Sequence, residues 1–124
     1  MTKIKTYRDL IIWQKSMALV TQIYMVTKRF PNDETYTLIS QMRRCAISIP
    51  SNIAEGYGRK STNDYIRFLN IAMGSIYELQ TQLEISFNLK YLREKDFEQL
   101  YELCRELERM LSSMTRKLGS QTTN

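Results

Sequence analysis

The side chains best suited to chemistry are few and scattered in this sequence. It contains no histidine, which removes the commonest general base and the commonest metal ligand together. A serine or cysteine nucleophile would therefore lack its usual partner. Cys45 and Cys104 lie far apart and match no metal-ligand spacing. Asp64, Glu78 and Glu84 are too widely spaced to form a carboxylate cluster. Without a Glu-x-x-His pair, the carboxylate-bridged metal site of some helical bundles is excluded in its usual form. Gly56-Tyr57-Gly58-Arg59-Lys60 is a basic loop that lacks the spacing of a P-loop. These residues predict a protein that is not an enzyme and holds no metal or cofactor.

Charge offers a different chemistry. The formal net charge of +5 is unevenly spread. Residues 1–60 hold ten Lys/Arg against four Asp/Glu, while residues 61–124 hold eight against nine. The basic excess thus belongs to the first half, a pattern that suits an anionic partner. The candidates for phosphate contact are Lys3, Lys5, Arg8, Lys15, Lys28, Arg29, Arg43, Arg44, Arg59 and Lys60, with Tyr57 placed to stack a base. No sequence-reading module such as a zinc finger or an RNA-recognition motif is present. Binding to RNA or DNA would then be weakly selective and strongly salt-dependent. The competing reading is an adaptor that uses the same basic face on a protein partner and touches no nucleic acid.

The elements that must carry these residues are helices. At 124 residues the chain has room for one domain, spanning 1–124. Only 4 Gly and 2 Pro leave few places to turn, which favours a few long elements. Apolar residues recur at spacings of three and four over about 9–30, 35–56, 62–89 and 95–118. The first segment has two adjacent stripes. One is Leu10, Trp13, Met17, Val20, Tyr24 and Thr27; the other is Ile12, Ser16, Leu19, Ile23, Val26 and Phe30. Asp9 is placed to favour the first helix's N-terminus, and Pro31 ends the segment. Pro50 falls inside the second, where it predicts a kink near Ala46 to Ile49 or, alternatively, a break giving five helices. Gly56 and Gly58 release the chain into a loop. Ser61 and Asp64 have the spacing of a capping box that opens the third helix. The seam Phe97, Leu100, Cys104, Leu107, Leu111, Met114 and Leu118 is the most regular in the chain. Its cysteine, like Cys45 on the second seam, reads as a small buried apolar residue. The tail 119–124 is expected to fray.

Together these elements predict an all-α, antiparallel up-down-up-down four-helix bundle, with helix 2 kinked near Pro50. Residues 1–5 lack the features of a signal peptide, and no run approaches the length of a membrane span. A cytoplasmic protein with reduced thiols, not bound to membrane, is expected.

Several strings carry a family resemblance: Trp13-Gln14-Lys15, Phe30-Pro31, Gln41-Met42-Arg43-Arg44, Ser48-Ile49-Pro50-Ser51-Asn52-Ile53-Ala54-Glu55-Gly56, Phe68-Leu69 and Gly74-Ser75-Ile76-Tyr77-Glu78-Leu79. Over Tyr7 to Leu92 the chain resembles the four-helix-bundle proteins encoded in intervening sequences of bacterial 23S ribosomal RNA genes. A more distant relative of that family is the accessory protein of diversity-generating retroelements. Helix 4 matches in character and not in any motif. The resemblance implies a basic-surfaced bundle that assembles as a ring, typically a homopentamer. For the retroelement relatives it also implies binding to nucleic acid and to a reverse transcriptase.

A ring needs a heterologous interface. Two apolar stripes on helix 1 are more than a lone bundle uses: either the helix sits deep in the bundle, or its extra stripe packs on another subunit, with Ile12, Leu19, Ile23 and Val26 the expected interface residues. Alanine at Leu19 and Ile23 should then yield smaller particles. On helix 2, Gln41, Arg44, Ser48, Ser51 or Asn52, and Glu55 share a polar face. That face is either solvated, or Arg44 and Glu55 hold contacts at a subunit junction or line a central channel.

Overall fold

The computed structural model describes residues 3–122. Four helices dominate them: α1 (Ile11–Thr27), α2 (Ser40–Tyr57), α3 (Thr62–Asn88) and α4 (Glu94–Thr122). Each packs beside its neighbour in sequence, and α1 against α4 closes the bundle. The pairings run antiparallel. On α2 and α3, Met42 meets Ser86, Cys45 meets Ser75, and Gly56 meets Phe68. On α1 and α4, Lys15 pairs with Glu106 and Arg29 with Asp96.

The seams become one core. Leu19 and Ile23 of α1, Met42, Ile49 and Ile53 of α2, Leu69, Ile76, Leu79 and Leu83 of α3, and Leu100, Leu107 and Leu111 of α4 are fully buried. Burial of such side chains is the main stabilising term, at roughly 1.5–3 kcal/mol each before entropy is charged against it.

The helix ends differ from the sequence reading. Asp9 does not cap α1. Its carboxylate accepts from the backbone N–H of Lys5 and Thr6, closing a capping box around a short 3-10 turn, Tyr7–Asp9. Those two N–H groups hold its pKa below the usual carboxylate value. Helix α1 starts two residues later, after extended Leu10. Between Pro31 and α2 lie a 3-10 turn, Asn32–Glu34, and a π-turn, Thr35–Ile39. Ile39 enters the core there, while Tyr36 stays 92% exposed.

Helix α2 runs unbroken through buried Pro50, so there are four helices and not five. Proline leaves the Ala46 carbonyl without its helical donor. Ser51 Oγ donates to Ile47 O (2.8 Å) and Asn52 Nδ2 to Ser48 O (2.7 Å), one and two residues further along. Ser48 does not help, because its hydroxyl pairs with that of Ser75 on α3. Helix α4 continues through Gly119 to Thr122, while 123 and 124 lie outside the described residues.

Ser61 Oγ accepts from Asp64 N (3.0 Å) and so caps α3. Its C-terminus is a Schellman turn: Tyr91 N donates to Ser86 O and Lys90 N to Phe87 O. Lys90 occupies the left-handed position with φ 66°, which favours glycine. Lys90→Gly should therefore stabilise the fold by about 0.5–1 kcal/mol, a rise of roughly 2–5 °C in Tm. A fall in Tm would show that the lysine side chain contributes more than its backbone strain costs.

Candidate nucleic-acid interface

The ten candidate cations separate into two groups. Three are already neutralised: Lys15 by Glu106 (3.2 Å), Arg29 by Asp96 (2.8 Å), and Arg59 by Glu55 one turn earlier (2.8 Å). Such exposed pairs add little stability, about 0–1 kcal/mol. Their effect on binding is larger, because each cancels a charge that a phosphate would need. Lys3, Lys5, Lys28, Arg44 and Lys60 are exposed and make no ion pair among the described residues. Arg8 lies over Trp13 at 5.3 Å, and Arg59 also lies over Phe68 at 4.6 Å.

Arg43 is the most firmly positioned cation. Its guanidinium lies over Tyr24 at 4.4 Å, and its Nε donates to Thr27 Oγ1 at 3.0 Å. Thr27 is itself buried and donates to Ile23 O (2.7 Å), so the α1 backbone fixes the acceptor.

Tyr57 does not offer a free ring. It is half-buried, edge-on to Tyr65 at 6.2 Å, where α2 turns into α3. The sequence reading missed Tyr36, the most exposed large side chain among the apolar and aromatic residues. The available signal was its position off every seam, seven and eight residues before Arg43 and Arg44.

The proposed subunit residues also need correction. Ile12, Leu19, Ile23 and Val26 are at most 8% exposed and belong to the subunit's own core. They present no surface to a neighbour. The outer stripe of α1 is the other one: Met17 is exposed, and Trp13, Val20 and Tyr24 are half-buried. On α2, Arg44 and Glu55 are both exposed on the polar face, but Glu55 is engaged by Arg59. Ser48 and Asn52 turn to other duties, the first on Ser75 and the second on the Ser48 carbonyl.

A groove therefore runs along the outside of α1 and α2, with two chemically distinct halves. One is an apolar hollow of about 300 Å³, lined by Tyr7, Trp13, Met17, Val20, Ile47, Pro50, Ser51 and Ala54. The other, of about 450 Å³, is lined by Tyr24, Thr35, Tyr36, Ile39, Ser40, Arg43, Arg44 and Ile47. They share Ile47 and no acidic residue lines either.

Neither cysteine is a reactive centre. Burial pushes both thiols up, that of Cys104 to about 12, and Cys45 Sγ donates to Ser75 O (3.0 Å). Among the described residues no group of His, Cys, Asp or Glu could hold a metal, and no helix is long and apolar enough to cross a membrane.

Fold and surface thus define a four-helix bundle with a buried, chemically quiet interior and a half-apolar, half-basic groove. Residues 8–113 match the model of the 23S rRNA-intervening sequence protein family, and the chain belongs to that family. It is also similar to a solved protein of unknown function from the S23 ribosomal protein family of Bacteroides thetaiotaomicron. The TM-score is 0.79 at 25% identity, over 85% of this chain and 98% of that one. No curated protein matches the chain. The relation to retroelement accessory proteins is not among these similarities.

Proposed function

We propose that the protein is an oligomeric, non-catalytic nucleic-acid-binding bundle of low sequence selectivity. The observation that carries this reading is the sorting of its cations. Acids on α4 and α2 neutralise three, while Arg44, Lys28 and Lys60 stay unpaired and Arg43 is held at the α1–α2 groove. Lys and Arg at these positions meet phosphates without reading base edges, so affinity comes from counterion release.

Oligomerisation supports the same reading, because a ring repeats each weak basic site and gains avidity. The apolar half of the groove is one face of a heterologous interface. Exposed Ile71 and Ile85 of α3 and Leu89 just past its end, with Glu78 on the same face between the isoleucines, provide a second face that carries an acid. The apolar hollow would take the α3 isoleucines of a neighbour, and the basic half would remain open.

Fluorescence anisotropy with a labelled mixed-sequence RNA tests the proposal. Affinity should fall about tenfold or more between roughly 50 mM and 200 mM salt, and Arg44→Ala should flatten the log–log salt slope by about 1. Salt-independent binding, or a protein partner whose capture survives nuclease treatment while RNA shows no affinity, would replace this reading with the adaptor.

A further inference from the structure

We infer that the basic half of the α1–α2 groove binds single-stranded nucleic acid, stacking an unpaired base on Tyr36 and seating the adjacent phosphate on Arg44. This rests on the nucleic-acid reading above and names the form of ligand that the site takes.

Tyr36 stands at the mouth of this half of the groove, on the turn before α2. The residue is 92% exposed to water, so its ring is open to a stacking partner. Among the described residues it makes no ring contact with another aromatic residue or cation. The π-turn Thr35–Ile39 that carries it leads directly into α2, so the ring stands on a helical support. Turns of this kind recur at functional sites.

Its neighbours complete a nucleotide's needs. Arg44, eight residues on, is exposed and makes no ion pair among the described residues, which suits it to a phosphate. Arg43 is fixed from one side by Tyr24 and Thr27, which leaves a planar guanidinium of set orientation at the same cavity. Planar guanidinium groups and aromatic rings are the two surfaces on which splayed bases stack. Ser40, half-buried on the cavity wall, adds a hydroxyl able to donate or accept. The hollow, of about 450 Å³, is open to solvent, and Ile39 and Ile47 add apolar surface to its lining.

The nearest acid in sequence keeps its charge but is turned to partners outside the cavity. The Glu34 carboxylate accepts from the hydroxyls of Thr37 and Tyr91, the latter at 2.9 Å in the turn between α3 and α4. It lines none of the cavity wall.

These features favour a strand over a duplex. In a duplex the base faces are already covered by stacking, and phosphates, sugars and base edges face outward. Arg44 and Lys28 could meet those phosphates, but the Tyr36 ring would gain nothing. With a single strand, the ring gains a base face, a contact that tolerates any sequence. An acidic protein segment could use the arginines, but its carboxylates offer no aromatic face to the ring.

The test compares intact protein with Tyr36→Ala, Tyr36→Phe and Arg44→Ala by anisotropy. The probes are a short mixed-sequence RNA strand, the same sequence as a DNA strand, its duplex, and a polyglutamate peptide. Tyr36→Ala should weaken both strands about tenfold, leave the duplex within about twofold, and be rescued by Tyr36→Phe. Arg44→Ala should weaken strands and duplex alike. At 92% exposure Tyr36 is not holding the fold, and unchanged helicity and melting will verify that. If wild-type protein binds neither strand nor duplex, the nucleic-acid reading fails and this site with it. If both bind but Tyr36→Ala changes the strands less than about twofold, only this inference fails. Loss of polyglutamate binding in Tyr36→Ala, with strand affinity intact, would overturn it in favour of an acidic protein ligand.

Discussion

A chain carrying Leu19→Ala and Ile23→Ala together is expected to lose its cooperative fold, not to separate into smaller folded particles. Both side chains are fully buried in the subunit core, one helical turn apart on α1. Each truncation removes apolar transfer energy and leaves a cavity, at about 2–5 kcal/mol apiece. As neighbours they share part of one cavity, so simple addition overstates the sum; about 4–8 kcal/mol is reasonable. A domain of this kind has about 5–15 kcal/mol in total. The double variant should therefore show a far lower urea midpoint, or no cooperative transition by circular dichroism. The contrasting variant places charge on the outer stripe, at Met17→Glu with Ile47→Glu. Both positions are partly exposed, so the subunit should stay folded while the particle mass falls in light scattering. If the core pair instead leaves a folded chain of reduced mass, the interface lies where the sequence first placed it. If the surface pair leaves the mass unchanged, the apolar half of the groove is not the contact.

That reversal illustrates what periodicity conveys. Spacings of three and four identified both α1 stripes as apolar, and four such segments with short breaks sufficed for the bundle. Choosing which stripe faces inward needs the rotation of the helix, and that is set by partners on other elements. Ser16 and Thr27 made the decision hard to see. Both are polar yet buried, bonded to the Trp13 and Ile23 carbonyls. Helical serines and threonines can satisfy themselves in this way and enter a core at low cost. The site was less legible for a related reason. Lys15 and Arg29 look available in sequence, but the antiparallel register of α1 and α4 sets them against Glu106 and Asp96. No spacing within one helix reports that pairing. Tyr36 was missed because exposure of a ring is a tertiary property, and Lys90 because lysine is a rare occupant of a left-handed turn.

Gly56 gives the second large effect, and with a sign that helix propensity alone gets wrong. The sequence suggests a residue that frees the chain for a loop, yet Gly56 lies in the last turn of α2 and is buried against α3. A Cβ there would sit 2.8 Å from Phe68 Cβ and 3.3 Å from the Tyr65 carbonyl oxygen. Neither atom can rotate away, since one is the root of a side chain and the other is backbone. Separating the helices would relieve the clash, but the connection from α2 to α3, residues 58–61, is too short to allow much movement. Alanine should improve helix propensity by about 1 kcal/mol and lose about 2–3 kcal/mol to overpacking, for a net destabilisation of about 1–2 kcal/mol. Gly74, in the middle of α3, has nothing within 4 Å of the same added atom. There alanine should stabilise by about 0.5–1 kcal/mol. The two variants are compared by urea unfolding at equal m, where Gly56→Ala should lower the midpoint and Gly74→Ala raise it. A rise in both would mean that α2 and α3 part easily at this end. The same contact explains why the string Asn52-Ile53-Ala54-Glu55-Gly56 has so distinctive a composition. Ile53 fills the core, Gly56 admits Phe68, Asn52 bonds back to the Ser48 carbonyl, and Glu55 holds Arg59. Its residues serve packing where α2 hands the chain to α3, and the proposed ligand site lies at the opposite end of that helix, around Arg43 and Arg44.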